Sequence, residues 1–254
     1  MNIPNNSTCE FLSWDSEFFG FPIGRICGDS LDDKLLKEAD KWSDANKIRC
    51  LYCLLRPDNP AALQAAEKHS FNLVDIRVTF TRTFDVSLPT AYPRLVPNGQ
   101  IRPVEPSDIP QLQVLARTAH SDTRFFNDPH FSYGMAEELY ETWIALESQG
   151  RAQKVLVAIS EKGAPIGYIS CHVDSAKRVG RIELVGVAAE SRGKGVGKSL
   201  VLAALDWLSQ QGLVRSTVVT QGRNIMAQRL YQRCGFVTEN LQLWYHKWYP
   251  EARE

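Results

Sequence analysis

The chain has 254 residues, 29 basic and 29 acidic side chains, and a formal net charge of zero. That length holds one large or two modest domains with their own cores. The balanced charge, with no Lys/Arg block, gives no footing to a nucleic-acid or anionic-membrane partner. No apolar run reaches membrane-spanning length, and the first residues lack the shape of a signal peptide. The six cysteines carry no metal-ligand spacing. Cys50 and Cys53 form C-x-x-C, but inside an apolar strand, where positions three apart face opposite sides. All six therefore read as reduced core residues of a cytoplasmic protein without a metal.

The aromatic-rich segment around Phe11, Trp14, Phe18, Phe19 and Phe21 reads as strand and turn, with Asp15-Ser16-Glu17 as a polar turn within it. Leu31 to Asn46 has helical periodicity, Ile48 to Leu55 is a short buried strand, and a helix starts at Pro60, where proline is tolerated. Val74 to Phe84 alternates, which places Val74, Ile76, Val78 and Phe80 on one face. Pro89, Pro93 and Pro97 followed by Asn98-Gly99 form a linker. This divides the chain into residues 1–97 and 98–254. After it, the periodicities predict the order β-α-α-β-β-β-α-β-α-β, an α/β pattern with a mixed sheet. The closing segment Leu241 to Tyr249 reads as an apolar edge strand, fit for a homodimer contact or for the seam between the two halves.

The most informative stretch runs from Ile182 to Leu200, a β-branched strand, a glycine-dense basic loop and an amphipathic helix in succession. Glycines at 193, 195 and 197 let successive backbone N–H groups converge, and the new helix adds the positive end of its dipole. That is an anion site suited to phosphate. A Walker A loop would need glycine where Arg192 stands, and a dinucleotide fingerprint would need one more residue between Gly195 and Gly197. The remaining pattern, Arg192-Gly193-Lys194-Gly195-Val196-Gly197, resembles the pyrophosphate loop of the GNAT superfamily of acyl-CoA-dependent N-acyltransferases. Asn224-x-x-Ala227-x-x-Leu230-Tyr231-x-x-x-Gly235-Phe236 matches a second motif of the same superfamily, in the right order.

The resemblance implies a GNAT fold with a mixed, splayed central sheet, and acetyl-CoA or another acyl-CoA as co-substrate. It places CoA against Val185, Gly186 and Val187 of the splayed strand, against the loop from Arg192 through Gly193, Lys194, Gly195, Val196, Gly197 and Lys198, and against Asn224 and Tyr231. The incoming amine attacks the thioester directly. A backbone N–H near Val187 steadies the oxyanion, and Tyr231 protonates the departing thiolate. Asn224 reads equally as the N-cap of its helix. Candidate bases are Glu183, which strict alternation puts on the face of Val185 and Val187, and His172 and Asp174 on the preceding strand.

Asn59-x-x-Ala62 and Phe71 repeat the spacing of Asn224-x-x-Ala227 and Phe236, with Ala66 in the place of Tyr231. The first part of the chain therefore reads as a smaller, degenerate GNAT-like α/β domain unable to hold CoA.

Across most of its length the chain is further similar to the dTDP-fucosamine N-acetyltransferase family, through Leu12 to Gly20, Arg124-Phe125 with Pro129, Trp143-Ile144, and Thr220-Gln221 ahead of Asn224. This implies a dTDP-linked amino sugar as acceptor and a role in surface polysaccharide such as O-antigen. Arg124, Phe125, Phe126 and His172 would border the acceptor, with Phe131 beside them. The alternatives are an enzyme acting on a peptide or other small amine, and a CoA-binding regulator without turnover.

Overall fold

The computed structural model describes residues 8–84 and 99–250. The proline cluster expected as a linker lies outside the described residues. The chain parts into two compact units, residues 1–77 with 127–131 and 241–254, and residues 78–126 with 132–240. A division at residue 97 differs from this at two strands, which each contribute residues to both units, and at residues 127–131, which fall in the first unit.

In the first part of the chain, β1 (Cys9–Phe11), α1 (Ser13–Phe19), β2 (Ile23–Ile26), α2 (Asp33–Ala45), β3 (Cys50–Leu55), α3 (Pro60–Lys68) and β4 (Asn72–Thr83) follow one another. Helix α1 replaces the expected strand and turn. Its aromatics sit one helical turn apart, with Trp14 stacked on Phe18 at 5.4 Å, and Gly20 ends the helix at φ 76°. The strand-like aromatic content concealed that i,i+4 spacing. The Asp32 carboxylate caps α2 by accepting from the Leu35 N–H at 2.7 Å. Strand β3 is buried almost throughout, hence its unbroken apolar run. All six cysteines are free, but Cys27 is exposed and so is no core residue. In β4 the expected face breaks at Asp75, which is buried, leaving Ile76 exposed.

The rest of the chain forms β5 (Gly99–Pro103), α4 (Ile109–Ala119), α5 (Arg124–Asn127), α6 (Tyr133–Leu146), β6 (Lys154–Ser160), β7 (Pro165–Asp174), β8 (Val179–Val187), α7 (Val196–Ser209), β9 (Arg215–Gln221), α8 (Ile225–Arg233) and β10 (Val237–Trp248). This is the order expected from periodicity, with the short α5 and a π-turn at Glu147–Arg151 added. In the first unit the strands run β1-β2-β3-β10-β4, so β10 is interior and not the edge expected. It pairs antiparallel with β3 from Leu243↔Leu55 to Trp248↔Cys50.

In the second unit the order is β4-β9-β8-β7-β6-β5. Strands β5 to β8 are antiparallel neighbours, and β8 runs parallel to β9. One face of this sheet carries the main core, with Leu156, Ile169, Cys171, Ile182 and Val218 against Leu200, Ala204 and Leu208 of α7. The sheet is mixed and splayed. Pairing of β8 with β9 extends only from Val179↔Arg215 to Ile182↔Val218, while β8 stays paired with β7 as far as Val187.

Helices α3 and α8 end alike. The Asn59 and Asn224 side chains cap the N–H groups of Ala62 and Ala227 at 3.2 and 2.9 Å. The Phe71 N–H donates to Ala66 O and the Phe236 N–H to Tyr231 O, both at 3.0 Å. Between them Ser70 and Gly235 take positive φ, 64° and 82°, the left-handed C-terminal stop. The elements keep one offset throughout: α3 spans Pro60–Lys68 and α8 Ile225–Arg233, while β4 spans Asn72–Thr83 and β10 Val237–Trp248. Even the residue after each strand agrees, with the Phe84 N–H on Val214 O and the Tyr249 N–H on Arg49 O. The faint spacing in the sequence is thus a repeat at the level of individual hydrogen bonds. Each unit takes in the end of the strand begun in the other copy.

Candidate active site

The site is built where β8 leaves β9. Beyond Ile182, β8 has five residues, Glu183 to Val187, outside the β9 ladder. That free length is roughly 16 Å at strand rise. The chain then makes one 3₁₀ turn at Ala189–Ser191 and enters the glycine loop. Gly193 and Gly195 adopt φ 75° and 85°, with open space where each Cβ would stand. Their glycine character therefore serves conformation and not room. Left-handed residues placed just before a helix start turn neighbouring N–H groups toward one point. Gly195 is also the N-cap of α7, so the first-turn N–H groups of Val196, Gly197 and Lys198 have no intrahelical acceptor. Gly197 answers a different need: a Cβ there would stand 3.3 Å from Leu230 and 3.6 Å from Val187, so helix, strand and α8 meet closely at this point.

The Arg192 side chain fastens this corner. Its Nε donates to Val187 O at 3.1 Å and its Nη2 to Thr118 O at 3.3 Å. Asn224 uses its side-chain oxygen as the α8 cap, which leaves the amide nitrogen outside that bond. Tyr231 lies two helical turns on, 5 % exposed, between Phe80 and Phe236 with ring centroids 6.0 Å away on either side. Burial pushes its phenol well above the ordinary range, with a smaller push from Cys234. At neutral pH it is an uncharged donor.

Glu183 stands elsewhere than alternation implied. Cys171 pairs with Ile182 and Ile169 with Val185, so two residues of β8 face only Ser170 between those pairs. This bulge is held by the Leu184 N–H donating to Ser170 Oγ at 3.2 Å. Ile182 and Val185 consequently pack in the same core, although three residues separate them. Glu183 falls on the opposite face, ion-paired with Arg181. The period-2 rule failed because a bulge inserts one residue into the count.

That opposite face holds polar groups the sequence did not single out. The Tyr168 ring lies against Gly186, where a Cβ would come within 2.5 Å of it, and its hydroxyl meets His120 Nε2 at 2.8 Å. His120 stacks on Tyr140 at 4.5 Å. Burial, and then the Arg192 charge, lower its imidazole to about 4, so it is neutral at physiological pH. Further along β7, His172 Nε2 lies 2.7 Å from Glu147 Oε2. A lone histidine at a helix end and a glutamate after an apolar helix carry no spacing signal, which is why only His172 stood out.

The residues expected at the acceptor are divided. The Arg124 guanidinium lies 4.2 Å over the Phe125 ring, and Phe125 is buried. Phe126 is partly exposed and packs on Tyr133 at 5.0 Å. Phe131 belongs to the first unit, where it is buried among Phe19, Phe21 and Trp248. It is a core residue there.

Gly186 provides a direct check on this packing. Gly186→Ala is expected to displace the Tyr168 ring from His120 and to lower stability by about 1–3 kcal/mol through overpacking. A thermal melt of the variant that coincides with the parent would contradict it.

A strand that peels from its neighbour and runs into two φ-positive glycines at a helix start leaves an open strand edge beside a turn whose amides have no intrahelical acceptor. Residues 115–236 match the acetyltransferase (GNAT) family, so this stretch of the chain is a GNAT domain, of a family whose members use acetyl-CoA. The residues present fit such a co-substrate, with the φ-positive glycines for the diphosphate and the unpaired β8 edge for the pantetheine arm. Among the described residues no group of three or more His, Cys, Asp or Glu side chains is placed to hold a metal, and no helix is long and apolar enough to cross a membrane.

The chain is 26 % identical over 248 residues to the dTDP-fucosamine acetyltransferase of Escherichia coli O6:H1, covering 96 % of this chain and 100 % of that one. It is 31 % identical over 160 residues to the spore coat polysaccharide biosynthesis protein SpsD of Bacillus subtilis, covering 63 % of this chain. That match spans 54 %, about half, of the SpsD length. The fold is that of a GCN5-related N-acetyltransferase from Sphaerobacter thermophilus, with a TM-score of 0.68 at 16 % identity over 94 % of this chain and 76 % of that one.

Proposed function

We propose that this protein transfers an acyl group, acetyl in the first instance, from acyl-CoA to the amine of a dTDP-linked amino-dideoxy sugar destined for surface polysaccharide. The observation that carries the transfer is the five-residue opening of β8 between the fork at Ile182 and the nest at Arg192–Gly197. Diphosphate held in the nest lays the pantetheine along the open edge between Val187 and the fork, so the thioester lies against that edge, where a backbone N–H can steady its oxyanion and Tyr231 can protonate the leaving sulfur. The acceptor amine forms the new C–N bond as the C–S bond breaks. Support for a sugar acceptor comes from the end-to-end similarity to the dTDP-fucosamine acetyltransferase, which includes the aromatic segments outside the CoA motifs. In the half-copy, Ala66 stands in place of Tyr231, and the β2–α2 connection Cys27-Gly28-Asp29-Ser30-Leu31-Asp32, with one glycine and no basic residue, stands in place of the glycine loop, which leaves one donor site per chain. The test is thiol release from acetyl-CoA with dTDP-4-amino-4,6-dideoxygalactose and its ring isomers. Turnover with one of these supports the reading, and no turnover with any of them removes the sugar acceptor.

A further inference from the structure

Glu147 is a carboxylate with 1 % exposure, and taking such a group out of water costs several kcal/mol unless it is partnered. Its hydrogen-bond partner is His172 at 2.7 Å, with Arg151 Nε farther off at 3.7 Å. The segment that presents it is irregular. Helix α6 runs into a π-turn over Glu147–Arg151 that contains Gly150 at φ 110°, and π-turns recur at functional sites. Ser148 Oγ of this turn and Trp143 Nε1 of the preceding helix are buried without a hydrogen-bond partner, as is Glu147 Oε1.

His172 stands close to the fork. It pairs directly with Arg181, one residue before Ile182, where the β8–β9 ladder ends. Directly paired residues share a sheet face, and Cys171 with Ile182 takes the α7 side, so His172 takes the other side with Glu183. Strands lie about 5 Å apart, and two residues span about 7 Å. A ring on His172 therefore reaches the neighbourhood in which the open edge of β8 begins. Its partly exposed side chain, 17 % against none for Glu147, meets solvent while its orienting partner does not.

We infer that His172 is the base that receives the acceptor amine's proton, and that Glu147 is the positioning residue that fixes its tautomer. A carboxylate only accepts, so the His172 Nε2–H donates to Glu147 and Nδ1 keeps the lone pair. As the amine nitrogen bonds to the acyl carbon, its proton passes to His172 Nδ1. The C–S electron pair leaves with sulfur, which takes the Tyr231 proton, and solvent exchange resets both side chains. The inference rests on the acyltransfer reading above but not on which sugar is used.

The charged groups facing the imidazole from its neighbours are Glu147 and Arg151 from the π-turn, Arg181 and Glu183 from β8, and Asp174 along β7. From the helices on the same face come Arg117, paired with Glu137 and Glu141, and His120. Of these, Glu147 alone makes a hydrogen bond to the ring.

Glu147→Gln keeps the shape of the side chain but offers an N–H to Nε2, which moves the proton to Nδ1. The expected result is a loss of kcat on the order of 100-fold, with unchanged CoA affinity by calorimetry and near-parental unfolding. His172→Asn should lower kcat by a similar factor, again with CoA affinity unchanged. An E147Q variant with the parental rate would overturn the inference while leaving the acyltransfer intact. If the parent itself releases no thiol, the function fails instead. The imidazole ¹⁵N shifts then decide: an Nε2–H ring in the parent that switches in E147Q supports the pair, and the same tautomer in both overturns it.

Discussion

Tyr231→Phe should lower kcat by roughly 100-fold or more, the range lost with a positioned general acid, while calorimetry returns an unchanged affinity for CoA. The substitution keeps the ring between Phe80 and Phe236, so stability should barely move. The direction follows from the leaving group. The thiolate that departs needs a proton, and burial keeps the Tyr231 phenol protonated far above neutral pH. The sign for pH follows too: a phenol held above its ordinary value of about 10 remains the acid form through the whole working range, so it adds no basic limb there. A variant with parental kcat on thiol release would remove Tyr231 from the chemistry.

Asp128→Ala should cost about 3–5 kcal/mol in urea unfolding, the range for removing one partner of a buried charged pair. Within the first unit, the buried Asp128 carboxylate accepts from His246 Nδ1 at 2.7 Å, Trp248 Nε1 at 2.8 Å and both the ring and backbone N–H of His130. Burial alone would raise its pKa. The hydrogen bonds from His246, Trp248 and His130 outweigh that and hold the carboxyl well below the usual range. A depressed carboxylate contributes stability that is present above the unfolded value near 4 and is lost as pH falls toward the folded one. The parent should therefore lose stability below about pH 4 more steeply than Asp128→Asn does. Equal stabilities of parent and alanine variant at neutral pH would show that the cluster adds nothing.

Much of this is legible in the amino-acid sequence alone. The loop at 192–197 and the Asn224 motif are local, because a phosphate cradle is made by consecutive amides and a helix face by residues at fixed spacing. The repeat was legible only as three matching positions, since Ser70 and Ala66 had replaced the residues that make the pattern visible; its hydrogen bonds kept what the side chains had lost. Glu183 was misplaced by a bulge, which no alternation rule registers. Phe131 looked like a ligand contact, yet it fills an aromatic core with partners more than a hundred residues away in the chain. Glu147 and His120 were missed for the same reason. Their partners, His172 on one strand and Tyr168 on the same strand, are neighbours only after the sheet has formed.

The grip of the 192–197 amides on a diphosphate is tested most directly by calorimetric titration of the parent protein with CoA and, separately, with pantetheine, which lacks the diphosphate. Two charge-assisted hydrogen bonds at about 1.5–3 kcal/mol each predict that CoA binds at least about 100-fold more tightly than pantetheine, with one site per chain. Equal affinities for the two, or no heat with CoA, would contradict it.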